Sequence, residues 1–298
     1  MKQHRHQGLT WLDVLLLMVV LVIALAIFMP LAARIRYAPT GPTCGTNLSG
    51  IGKAMLIYAN DYGDELPCAG GRGSSWAART PNWMARDRFE AFALDPNGEG
   101  GQASISASLY LLVKYLEVSP RSFLCVDRKG IPEKKMTIFK PEEYQAGDRQ
   151  LTDLWDFGPD PAKHCSFAYQ MVYGPHRLTI DSPPGFAVAA DRNPWTDAPY
   201  AKARDFSKFL PDVPPFNGTA AQGLGGNTFR HKGEGQNVMY LDTHVEFEKR
   251  TFCGLDDDNI YTSWDGQDKA RGVPPRLGSA PADARDSLLV NDPISLSQ

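Results

Sequence analysis

The chain has 298 residues, of which 43% are hydrophobic and 22% charged, and its formal net charge is −3. These proportions are ordinary for a folded domain. The slightly acidic balance argues against a nucleic-acid or anionic-membrane partner, since both select a basic face.

The N-terminus carries the strongest pattern. A short basic leader with Lys2 and Arg5 ends at Gly8, and between residues 9 and 33 the only polar side chains are Thr10 and Asp13. Residues 14–29 are unbroken apolar sequence. At about 1.5 Å per residue the run is long enough for a hydrocarbon core of about 30 Å. No small-x-small cleavage site follows it, as a secretory signal would require, so it reads as an anchor that stays on the protein. A carboxylate inside such a helix is costly and by default functional. The expectation is a transmembrane helix over 9–36.

The stretch Gly8-Leu-Thr-Trp-Leu-Asp13-Val-Leu-Leu16 resembles the prepilin leader of type IV pilins and type II secretion pseudopilins. The resemblance implies cleavage after Gly8 by a prepilin peptidase and methylation of the new N-terminus at Leu9. It also implies that Asp13, the fifth mature residue, pairs with the terminal amine of a neighbouring subunit. Leu9 stands where the family usually has Phe, and Asp13 where it usually has Glu. The family's topology implies a single-pass inner-membrane protein, N-terminus cytoplasmic and head periplasmic or extracellular. The competing reading is a plain signal anchor in which Gly8 and Asp13 are incidental.

Pro39 and Pro42 interrupt the helix and predict a linker over 37–43. Leu48, Ile51, Met55, Tyr58 and Tyr62 recur at spacings of three and four, which predicts a stalk helix over 44–64 ended by Gly63. This segment, with its Cys44-x-x-Asn-Leu start, is similar to the stalk of a large group of pilin-like proteins. The five cysteines, Cys44, Cys68, Cys125, Cys165 and Cys253, show no C-x-x-C spacing, so a zinc site is not expected. Two bridges, Cys44–Cys68 and Cys125–Cys165, each flanking one local segment, compete with buried free thiols.

Between residues 69 and 197 the chain is punctuated by glycine and proline. Residues 109–116 read as a short helix, and 166–173 and 186–191 as strands. The glycine clusters around Gly71 and Gly100 lack the Lys-Ser/Thr of a phosphate loop and read as exposed loops. Residues 194–226 read as a surface excursion. Alternation over 237–241 and 244–248 predicts a hairpin turned at Asp242-Thr243. It resembles the "H-x9-D-G" hairpin of the same pilin-like group, with one extra residue between His231 and Asp242. Thr243 replaces the family glycine.

His231, Asp242 and His244 could instead form a metal trio with Glu246 as base, the basis of an alternative reading as an anchored metal-dependent hydrolase. Against it, Asp suits a turn tip for local hydrogen bonding. Asp256, Asp257 and Asp258 offer clustered oxygens that suit calcium, which major pseudopilins hold near their C-terminal end, but three consecutive acids also mark a solvated turn. A ligand-binding module would need Trp76, Trp83, Trp155 and Trp195 exposed along one groove. Residues 271–298, rich in Pro, Ser and Asp, read as an unpacked tail.

The expected fold is therefore α+β and pilin-like: leader 1–8, transmembrane helix, stalk helix, an antiparallel-sheet globular head over 65–270, and the flexible tail. The resemblance implies a structural, non-enzymatic subunit of a type II secretion or type IV pilus-like assembly, with calcium the one candidate cofactor. Its implied partners are the prepilin peptidase/methyltransferase, other pilin-like subunits, an inner-membrane assembly platform and membrane lipid, with no nucleic acid.

Overall fold

The computed structural model describes residues 11–36, 42–125, 136–196, 205–264 and 268–293, with side chains of residues 25–43 outside the description. The chain divides into two compact units, residues 1–39 and 40–298.

Among the described residues the first unit contains one helix, α1 (Trp11–Arg36), with Asp13 in its first turn, where the positive end of the helix dipole favours an acid. Among the described residues no helix is long and apolar enough to cross a membrane. This corrects the expected transmembrane helix, and with it the membrane assignment and the single-pass inner-membrane location.

The second unit is α+β. Its elements are α2 (Pro42–Asp61), β1 (Ser75–Trp76), α3 (Arg88–Phe92), β2 (Gln102–Ala103), α4 (Ile105–Leu116), β3 (Phe167–Gln170), β4 (Ala187–Asp191), α5 (Ala220–Leu224), β5 (Gln236–Tyr240), β6 (Val245–Glu248) and β7 (Leu289–Val290). β1 and β2 form a small parallel pair. The main sheet has the order β6-β5-β4-β3-β7 and is antiparallel throughout.

Side-chain alternation along these strands divides the interior into two cores. Phe167, Tyr169, Met239 and Val290 face the larger one, with Leu48, Ile51 and Met55 of α2 and Leu109, Leu112 and Val113 of α4. Ala168, Val238, Tyr240 and Leu289 face the smaller one, closed by Ile260 and Tyr261. α2 crosses the β5–β6 hairpin so closely that a Cβ at Gly52 would lie 2.5 Å from the Met239 sulfur. α4 is buried from Ile105 through Val113, and Ser104 caps it by accepting from the Ala107 N–H at 2.9 Å.

The hairpin loop is one residue longer than the spacing predicts. The Tyr240 N–H donates to the His244 carbonyl, the Thr243 N–H donates to the Tyr240 carbonyl, and Thr243 lies in the left-handed region at φ 69°. A turn closed by a left-handed residue is a standard three-residue hairpin connection. A β-branched residue is strained there, so Thr243→Gly is expected to stabilise the head by roughly 0.5–1 kcal/mol. A higher urea midpoint at unchanged slope would register the gain; an unchanged or lower midpoint would contradict it.

The expected tail is corrected over its described part. Leu288, Leu289 and Val290 are fully buried, β7 pairs with β3, and Asp292 is buried as well. Asp292 accepts from the Trp76 indole N–H and from the Ile105 and Ser106 backbone N–H groups, tying the chain's end to the start of α4. A few apolar residues decide this packing, although Pro, Ser and Asp dominate the segment around them. The tryptophans are likewise interior. Trp76, Trp83 and Trp155 are buried, and the Trp195 ring packs against Phe206 and Phe209, so they line no exposed groove.

Candidate functional site

Four segments distant in sequence converge where the first turn of α2 meets the sheet. Cys44 lies in that turn, Cys125 follows the helical turn Pro120–Phe123, Asp191 ends β4, and His231 precedes β5. Asn47 donates to the Leu124 carbonyl at 2.9 Å and holds α2 against the segment carrying Cys125. Cys44 and Cys125 form a disulfide with Cα atoms 5.0 Å apart. This replaces the expected Cys44–Cys68 and Cys125–Cys165 bridges, and Cys68, Cys165 and Cys253 are free thiols. Long-range packing of α2, which local flanking does not register, selects the partner.

One ligand-capable atom from each of Cys44, Cys125, Asp191 and His231 lies within 4.8 Å of the others. Asp191 is fully buried. Its Oδ2 accepts from His231 Nε2 at 3.0 Å, from the Asn237 backbone N–H at 2.7 Å and from Asn237 Nδ2 at 2.9 Å. Its Oδ1 is buried and accepts no hydrogen bond among the described residues. Burial alone would raise the Asp191 pKa. The hydrogen bond and charge of His231, the charge of Arg230 and the Asn237 N–H outweigh burial and hold the carboxyl below its ordinary range.

His231 is mostly buried and sits edge-on to Phe247. His231 and Lys232 both have positive φ, 50° and 60°. Two consecutive non-glycine residues in the left-handed region are a costly local choice, maintained by the surrounding contacts. They turn the chain so that the imidazole reaches Asp191.

The residues singled out from the sequence divide among separate places. His231 pairs with Asp191, whereas His244 pairs with Asp242 at the exposed hairpin tip and stacks on Tyr240. Glu246 is exposed on β6. The trio with Glu246 that a hydrolase would need does not assemble around His231. Asp256 faces Lys269 and Arg285, Asp257 is exposed, and Asp258 is buried and accepts from the Ser287 N–H. Among the described residues these three carboxylates form no metal-holding group. Gly8 and Leu9 lie outside the described residues. Cys125 and Asp191 carried no sequence signal for this cluster, because nothing local marks a cysteine or a strand-ending acid as a partner of His231.

No protein-family model, curated protein or solved structure matches the chain.

Proposed function

We propose that this chain is a structural, pilin-like subunit, cleaved after Gly8 and assembled with other copies or similar subunits through α1. The observation that carries the reading is the surface of α1. Leu12, Leu15, Leu16, Leu17, Val20 and Ile23 point to different sides of the helix, and each is roughly half or more exposed. An apolar surface of that extent marks an interaction site, and neighbouring helices of the same kind would cover it. The leader residues Gly8 and Leu9 and the acid at Asp13 support the same reading. The partners are a prepilin peptidase/methyltransferase and other pilin-like subunits, and the chain needs no chemistry of its own.

The test is processing and cross-linking in the native host. Mature protein is expected to begin at a methylated Leu9, and a bulky residue at position 8 is expected to leave the leader uncut. Asp13→Ala is expected to reduce adducts between neighbouring subunits severalfold without altering the unfolding of the head, and Asp13→Glu to match the native residue. Normal processing of the Gly8 variant, or equal adduct yields for Asp13→Ala, would overturn the proposal.

A further inference from the structure

We infer that Cys44, Cys125, Asp191 and His231 form a zinc site when the Cys44–Cys125 bridge is opened, so that one place in the head holds either a disulfide or a metal ion. Two independent observations carry this. The four donors already lie within 4.8 Å of one another, close to the roughly 3.2–3.8 Å that separates ligand atoms around a tetrahedral Zn2+. Asp191 Oδ1 is a fully buried carboxylate oxygen with no hydrogen-bond donor among the described residues, an arrangement that is costly unless a cation occupies it.

The donor set selects the ion. Two thiolates, an imidazole and a carboxylate suit zinc and disfavour calcium or magnesium, which take oxygen alone. Asp191 Oδ2, meanwhile, accepts from the Asn237 backbone N–H and from Asn237 Nδ2, which fixes the carboxylate while Oδ1 stays available. Two thiolates and a carboxylate leave one negative charge on a zinc complex, and the Arg230 charge that Asp191 already feels offsets it. C-x-x-C spacing could not reveal such a site, because the two cysteines stand 81 residues apart.

The exchange balances with a dithiol as reductant. The dithiol donates two electrons and two protons, the S–S bond breaks, two cysteine thiols form and the dithiol becomes its cyclic disulfide. Zn2+ then binds both sulfurs and displaces two protons to solvent. The sulfurs part to about 3.8 Å, the separation of two thiolates across a tetrahedral zinc.

Full-length protein, reduced by a dithiol that is then removed without air, would be titrated with Co2+ as a spectroscopic stand-in for zinc. Reduced protein is expected to bind one Co2+ per chain, with tetrahedral visible bands and a thiolate-to-cobalt charge-transfer band, both removed by Zn2+. Oxidised protein is expected to show neither. His231→Gln is expected to weaken binding at least tenfold. Should that variant fail to fold, cysteine-resolved alkylation of the wild type decides: Zn2+ should slow modification of Cys44 and Cys125 and leave Cys68 unchanged. Absence of the charge-transfer band, undiminished binding by folded His231→Gln, or protection of Cys68 in place of Cys44 and Cys125 would overturn the inference.

Discussion

Converting Cys44 and Cys125 together to alanine is expected to lower the stability of the 40–298 unit by about 4 kcal/mol, because their bridge closes a loop spanning 81 residues and denies the unfolded chain that freedom. In a unit of this size the loss corresponds to a fall in melting temperature of about 10 °C. The double substitution leaves neither bridge cysteine behind as a new free thiol, and without added metal it isolates the cross-link. Apart from the bridge, the Asn47 hydrogen bond to the Leu124 carbonyl and apolar contacts hold the start of α2 to this segment. Urea unfolding of the variant and of wild type under non-reducing conditions would measure the difference. A loss below about 1 kcal/mol would mean that packing alone fixes α2.

The second large effect is a loss of stability as pH rises. Asp156 and Asp292 are both fully buried near the start of α4, and Ser106 Oγ lies 3.1 Å from Asp156 Oδ1 and 2.7 Å from Asp292 Oδ2. Burial, and then the Asp292 charge, push the Asp156 carboxyl up to about 7 from an ordinary 3.8. Burial and the nearby Asp286 push Asp258 up to about 8. A raised carboxyl binds its proton more tightly in the folded state than in the unfolded one. The folded state is therefore favoured at low pH and loses that advantage between the unfolded value and the folded one.

Between pH 5 and pH 8 each of these two groups is expected to remove on the order of 3 kcal/mol. Lowered carboxyls such as Asp191 act in the opposite sense, but only near and below pH 4, outside this window. Urea midpoints at pH 5 and pH 8 would show the trend, and Asp156→Asn should flatten part of it while retaining an acceptor for the Phe157 N–H. A midpoint that holds or rises from pH 5 to pH 8 would contradict the assignment.

Local periodicity made several elements of the head legible. The stripe from Leu48 to Tyr58 corresponds to α2, and alternation over 237–248 to the β5–β6 hairpin. The apolar run 109–116 belongs to α4, which begins earlier because Ser104 caps it. What stayed hidden was set by distant contacts. Cys44 finds Cys125 because α2 packs on the segment after Pro120–Phe123, and Leu289 and Val290 become a strand only because β3 offers an open edge. Asp191 looks like an ordinary acid at a strand end, and its burial arises from His231 and Asn237, which arrive from the hairpin side. His231 was legible as a marked residue, but its partner was not.

The position of β7 has a consequence for how the protein is made. The strand that completes the sheet comes from residues 289 and 290 and pairs with Tyr169 and Gln170. A ribosome adding 5–20 residues per second would leave β3 with one exposed edge for roughly 10 s before its neighbour emerged. During that interval the unpaired edge and the uncovered larger core are open to aggregation, and a chaperone acting on the nascent chain would have its longest opportunity there. Shortening the chain before residue 289 should therefore reduce the yield of soluble head far more than the few residues removed would suggest.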